Sequence, residues 1–222
     1  MIDGDPLPHS IDVVSHSLFS AGVVEISKSP AGFGLTNSSV PTMLKWNIEQ
    51  LLAQPAAKRR FIDIMDHEVF KAMHLGHYNA DRIVGVPDGM TAFTSSIADR
   101  IYVGQWVLKK AEVKAGTAKI YGDGTLDTCT KPRNVLVLED VLTTGKSTAD
   151  SVDVIRKNNH RVRDVAAFLA RNKYVVEYLS DTAKVPVRAA YNSIDIGKSL
   201  VKQELLTEEQ LSWIEADFNR PI

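Results

Sequence analysis

At 222 residues, with 44% hydrophobic and 24% charged residues, the chain has the size and balance of one α/β domain with small additions. A net charge of -1 gives no sign of a nucleic-acid or general anionic partner, and one cysteine, Cys129, excludes an internal disulfide framework and fits a reducing compartment. No apolar run approaches a membrane span and the N-terminus lacks a charged-then-apolar secretory pattern, so a cytoplasmic protein is expected.

A polar lead to Ser10 precedes a short amphipathic helix over Ile11–Ala21, ended by Gly22, and a strand over Val23–Ile26. The glycines, hydroxyls and proline of Ala31–Pro41 mark a turn between extended pieces, with Met43–Ile48 as the returning strand. Pro55 opens a long helix over Ala56–His77, where Phe61, Ile64, Met65, Val69 and Met73 share an apolar face. Its His67, His74 and His77 lack the acid or cysteine that would complete a metal set and are expected to be surface or packing residues.

Asp81–Met90 is a strand that breaks into a tight Gly/Pro/Asp loop, a place where backbone N–H groups meet an anion. A helix through Ile97 and Ala98 follows, then a strand over Val103–Leu108. Lys109–Lys119 is basic, small and flexible in composition. It fits either a solvated hairpin or a mobile lid whose lysines close over a bound anion and keep water out. Ile120–Cys129 is the far side of this excursion, turning at Gly122-Asp123-Gly124.

The most informative stretch is Asn134–Ser147. Val135–Leu138 is an unbroken apolar run suited to a strand buried on both faces. Glu139 and Asp140 follow where the strand is expected to leave the sheet. Thr143, Thr144, Gly145, Lys146 and Ser147 then lead into a helix start at Thr148–Val152, with hydroxyls and an acid available as caps. The turn and helix N-terminus offer an anion site, Gly145 lets backbone approach a phosphate, and the two acids suit the vicinal hydroxyls of a ribose. Two other readings compete. A Walker A loop needs a glycine five residues before Gly145, where Asp140 stands. An ordinary strand-to-helix connection needs fewer hydroxyls than this loop carries.

Beyond it, the helix continues through Val152 and Ile155 to Asn158-Asn159. Val165–Ala170 is another buried strand, ending at Arg171. A short helix begins at Val175–Leu179, Val185–Tyr191 is an edge-type strand given its proline, and Ile194–Gln203 and Thr207–Phe218 are helical. Strands alternating with helices argue for a parallel or mixed sheet covered on both faces, with ligands at the carboxyl ends of the strands.

The run from Val135 to Ser147 resembles the phosphoribosyl-pyrophosphate (PRPP) motif of the type I phosphoribosyltransferases: an apolar strand, two acids, then Thr-Thr-Gly. Over about Ala31–Ala190 the chain is similar to the orotate phosphoribosyltransferases. Gly32-Phe33-Gly34-Leu35, hydroxyls and Pro41 resemble their N-terminal hood motif, and Val84-Gly85-Val86-Pro87 their pyrophosphate loop. Lys110-Ala111-Glu112-Val113-Lys114 resembles the opening of their catalytic loop. Leu169-Ala170-Arg171 falls where they carry Asp-Arg. The departures are Thr36 for the hood lysine, Lys110, Ala111 and Gly116 in the loop, and Gly89 for a lysine that some members carry. Lys45, Lys109 and Lys119 are the cations left to replace them.

The resemblance implies a type I phosphoribosyltransferase fold with a mainly parallel central sheet flanked by helices, a small N-terminal hood and a mobile loop. It implies one domain over 1–222, with the hood at about 1–50 and the PRPP-binding core at about 80–190. The implied reaction moves the 5-phosphoribosyl group of PRPP to orotate, releasing pyrophosphate. Asp140, Lys114 and Glu139 are the implied catalytic residues, the acids on the ribose and Lys114 on pyrophosphate. Thr143 to Ser147, Lys110, Pro87 and Asp88 complete the PRPP site. Arg171, Thr143, Phe33 and Thr36 are implied at the base. Mg²⁺ is implied as cofactor, bound mainly through PRPP, and a homodimer with shared sites as the assembly. Transfer to another base and a non-catalytic PRPP-binding regulator are the alternatives.

Overall fold

The computed structural model describes residues 7–35, 38–116, 120–122 and 131–220, with backbone alone at 34, 35 and 38–41. Helix α1 (Ile11–Ser20) is capped by Ser10, whose hydroxyl accepts from the Val13 N–H, and leads into β1 (Val24–Ile26). Strands β2 (Phe33–Leu35) and β3 (Ser38–Thr42) pair antiparallel, as do β1 and β4 (Leu44–Trp46). The stretch expected as a turn between extended pieces is therefore a hairpin. Its tip, with Thr36, lies outside the described residues. A 3₁₀ turn (Ile48–Ala53) then delivers α2 (Pro55–Leu75), with Pro55 in the first turn, where a missing N–H costs nothing.

The core alternates strands and helices: β5 (Arg82–Gly85), α3 (Thr91–Ile101), β6 (Gly104–Trp106), α4 (Lys110–Lys114), β7 (Asn134–Leu142), α5 (Lys146–Lys157), β8 (Arg161–Ala170), α6 (Val175–Ala183) and β9 (Val187–Asn192). Helices α7 (Ser193–Lys202) and α8 (Glu208–Phe218) follow. The five strands form one sheet in the order β6-β5-β7-β8-β9, and every pair is parallel. The expectation of a parallel sheet covered on both faces holds.

Side-chain alternation explains the layers. On β7, Leu136 and Leu138 join one apolar cluster with α1, α2, α3, α7 and α8, while Val135 and Val137 join a second with α5 and α6. Phe61 of α2 anchors the first cluster, with ring centroids 5.1 Å from Phe93 and 4.9 Å from Phe168. Strand β9, preceded by Pro186, closes one edge of the sheet, as its proline led one to expect.

Three local expectations are corrected. Strand β7 runs on through Glu139 and Asp140 to Leu142, because β8 is long enough to pair with it there. Helix α5 starts at Lys146, not Thr148, and its cap is Gly145 at φ 73° with no side-chain acceptor. The basic stretch after β6 is neither a hairpin nor bare loop at its start: Lys110–Lys114 is helical, with Val113 buried in the second cluster and the chain returning at Tyr121 to bridge Val107. Residues 117–119 and 123–130 of that excursion lie outside the described residues. Among the described residues, no helix is long and apolar enough to cross a membrane.

Candidate active site

Three loops gather at the carboxyl ends of neighbouring parallel strands: Val86–Met90 after β5, Thr143–Gly145 after β7 and Arg171–Tyr174 after β8. In the middle loop Gly145 adopts a left-handed backbone that a side chain would strain, and a Cβ there would lie 3.3 Å from Leu179. The Gly145 cap carries no side-chain acceptor, and at the start of α5 the Lys146 N–H has only the Thr144 hydroxyl oxygen, at 3.5 Å. Thr144, Lys146 and Ser147 are exposed, and Thr143 is half-buried. Thr148, expected as a cap, is buried instead and donates to Glu139 Oε2 at 2.6 Å.

The adjacent acids part company. Glu139 is buried, its Oε2 held by Thr148 and its Oε1 3.2 Å from the Asp140 N–H. Burial raises its pKa well above the usual carboxylate range, and the neighbouring Asp140 charge adds to the rise. Asp140, whose side chain stays within hydrogen-bonding reach of Glu139, is half-buried. Its Oδ1 accepts from the Val141 N–H at 2.7 Å, and its Oδ2 lies against the first loop, where a Cβ on Gly89 would come within 2.3 Å of it. A side chain at position 89 would require the Asp140 carboxylate to shift.

In the first loop Pro87 is buried, Asp88 is exposed and the peptide between them is cis. Lys110 Nζ reaches Asp88 Oδ2 at 3.1 Å, so the start of α4 touches this loop. Both groups are half or more exposed, and such a pair is worth at most about 1 kcal/mol, so it exchanges readily. Lys114, at the other end of α4, is exposed, and no described contact brings it to the loops.

A cavity of about 200 Å³ is lined by Leu44, Lys45 and Trp46 of β4, by Asp140, Val141 and Thr143, and by Arg171. It joins the N-terminal strands to the carboxyl end of the sheet. Asp140, Thr143 and Arg171 are thus brought together as expected, and Phe33 is not on this wall. Lys45 was flagged only as a spare cation; Trp46 and Val141 were not singled out at all. Nothing in the sequence distinguishes Trp46 from a packing residue, although its indole N–H is buried without a hydrogen-bond partner among the described residues. Arg171 is buried and held by Asp217 of α8, with Nη2 3.3 Å from each carboxylate oxygen. Among the described residues no three histidine, cysteine or acidic side chains converge as a metal site.

No family model matches the chain. In sequence it is 26% identical over 132 residues to the orotate phosphoribosyltransferase of Sulfolobus acidocaldarius, a match covering 60% of this chain and 64% of that protein. In structure it is similar to the UMP synthase of Leishmania donovani, with a TM-score of 0.76 at 19% identity, covering 94% of this chain and 42% of that one. It is also similar to the orotate phosphoribosyltransferase of Aeropyrum pernix, with a TM-score of 0.64 at 18% identity over 86% of this chain and 99% of that one. The adenine phosphoribosyltransferase of Saccharomyces cerevisiae matches with a TM-score of 0.53 at 15% identity over 80% of this chain and 98% of that one. The chain therefore spans less than two thirds of the curated relative and less than half of the UMP synthase. With its parallel five-stranded sheet, its antiparallel N-terminal strands and its acid-acid-hydroxyl motif at the carboxyl edge, the chain has the fold of the type I phosphoribosyltransferases.

Proposed function

We propose that this protein transfers the 5-phosphoribosyl group of PRPP to orotate, forming orotidine 5′-phosphate and pyrophosphate. The carrying observation is the cavity beside the Thr143–Gly145 turn, which has Lys45 and Arg171 among its walls and Asp140 at its junction with the phosphate loops. Such walls suit a base that bears a carboxylate. The named activity of the Sulfolobus relative supports the same reading.

In this mechanism the turn from Thr143 to Ser147 and the first N–H groups of α5 hold the 5′-phosphate. Asp140 faces the ribose, where its charge stabilises the positive charge that grows on the ring as the bond to pyrophosphate breaks. Glu139, whose pKa burial raises, holds the turn through Thr148 and fixes where Asp140 points. Pro87 and Asp88 form the pyrophosphate wall, and Lys110 exchanges Asp88 for a phosphate oxygen. Lys114 is the second lid cation, and Phe33 and Thr36 of the hairpin are assigned to the base side. Mg²⁺ would be held mainly through PRPP and not by side chains of this chain, and would supply positive charge against the leaving pyrophosphate. The assembly is a homodimer, and residues 1–222 act as one domain, with a hood at about 1–50 and a PRPP-binding core at about 80–190.

One observation favours a different base. Asp217 already pairs with Arg171, which lowers the charge that Arg171 can offer to a carboxylate. The adenine enzyme among the structural neighbours shows that the fold serves neutral bases. Orotate turnover with PRPP and Mg²⁺, followed by loss of orotate absorbance, decides between them. Transfer to orotate that falls 10²–10³-fold in Asp140→Asn, about the loss of one strong electrostatic contact, is the expected result. Transfer to adenine with none to orotate overturns the reading.

A further inference from the structure

The Asp217 carboxylate sits where three parts of the chain meet. It is buried, and so is Arg171. From the loop after β8, Arg171 Nη2 lies 3.3 Å from both of its oxygens. From the N-terminal strands, the Thr42 hydroxyl lies 3.2 Å from Oδ2 and the Met43 N–H 3.4 Å from it. The single Thr42 proton is also within 2.8 Å of the Leu44 carbonyl, so it is shared between the two acceptors. From just beyond α8, Arg220 Nη1 lies 3.9 Å from Oδ1. The two residues after Arg171 are tied to the same helix end: Asn172 donates to the Arg220 carbonyl, and the Lys173 N–H to the Phe218 carbonyl at 3.0 Å.

Two walls of the base cavity therefore hang on one buried acid. Arg171 is one wall; Leu44, Lys45 and Trp46 directly follow the Thr42-Met43 pair that the acid holds. Among the described residues, no hydrogen bond or ion pair joins the phosphate turn or the first loop to Asp217. We infer that Asp217 is a positioning residue for the nucleobase, which aims Arg171 and seats β4 across the base cavity without touching the phosphoribosyl half of the ligand. This rests on the phosphoribosyl-transfer reading of the site. A buried ion pair with extra hydrogen bonds fixes geometry, and removing one member leaves the other misaimed.

The test is equilibrium binding of two probes to the full chain: orotidine 5′-phosphate, which reports base and phosphate together, and ribose 5-phosphate, which reports the phosphate half alone. Asp217→Asn is expected to weaken orotidine 5′-phosphate at least tenfold and leave ribose 5-phosphate within twofold, with Asp217→Glu recovering part of the loss. In an Arg171→Ala background, Asp217→Asn is expected to cost markedly less than in the wild type, because its effect runs partly through Arg171. Equal weakening of both probes would make Asp217 a general structural residue and overturn the inference, as would wild-type affinity for both. If Asp217→Asn does not fold, Thr42→Val keeps the question open to measurement. It is expected to weaken only orotidine 5′-phosphate, by about fivefold, since one bond near 1 kcal/mol is lost; unchanged affinity overturns the inference. Wild-type protein that binds ribose 5-phosphate but gains nothing from the base would instead sink the orotate reading, and the two failures are thereby told apart.

Discussion

Glu139 and Asp140 are chemically near-identical neighbours, and the sequence treats them as a pair. The structure gives them different further partners: Glu139 is held by Thr148 of α5, and Asp140 lies against the loop that carries Gly89. Because the Glu139 pKa is raised, the neutral form predominates over a wider pH range, and glutamine is a close isostere of that form. Glu139→Gln should therefore keep the transfer rate within about threefold, against the 10²–10³-fold loss expected of Asp140→Asn. Steady-state rates for the pair check this, and equal losses would refute the division of roles. Asp66 supplies a pH signature of its own. It is buried under Arg100, with Nε 2.7 Å from Oδ2, and Oδ1 has no partner among the described residues. Burial pushes its pKa up to about 6 despite the pull of Arg100, and the Asp63 charge adds to the rise. The folded chain thus keeps this proton over about pH 4–6, where the unfolded chain has released it. This group's contribution to stability is therefore largest below about pH 4 and is lost as pH rises to about 6, by up to about 3 kcal/mol. Thermal melting of Asp66→Asn should lack that component of the wild-type slope.

At the scale of elements, the motif that names the fold was legible because it is local. An apolar strand, a glycine with positive φ and a run of hydroxyls need only a few residues to be recognised. What the motif did not disclose was which hydroxyl does what. Thr148 looked like a helix cap, but the strand continues past Glu139, so Thr148 faces that carboxylate and the cap falls to Gly145. Gly145→Ala should cost about 1 kcal/mol through its left-handed backbone, and ribose 5-phosphate affinity should fall several-fold as the turn shifts. Titration calorimetry beside a denaturant curve separates the two effects. Helix α8 offers a second test. Thr207 and Gln210 form a capping box at its start, and Thr207→Ala should remove about 1 kcal/mol of stability. The start of α4 was harder to read, because lysines, alanine and small residues serve a loop and a short helix alike. Only the burial of Val113 against α5 decides for the helix.

Over the whole molecule, the phosphate half of the site is built from successive β-to-α loops, whereas the base half is assembled from Leu44–Trp46, Asp140–Thr143, Arg171 and, behind them, Asp217. The first could be inferred from pattern. The second could not, because no local period marks an aspartate 46 positions after the arginine it holds and 175 after the threonine. A parallel sheet covered on both faces was legible from the alternation of strands and helices, whereas the strand order is set by long-range pairing that no local period marks. The same separation has a temporal consequence. A ribosome delivers Thr42 early, Arg171 late and Asp217 later still, so the phosphate cradle has all of its residues before the base cavity has its clasp.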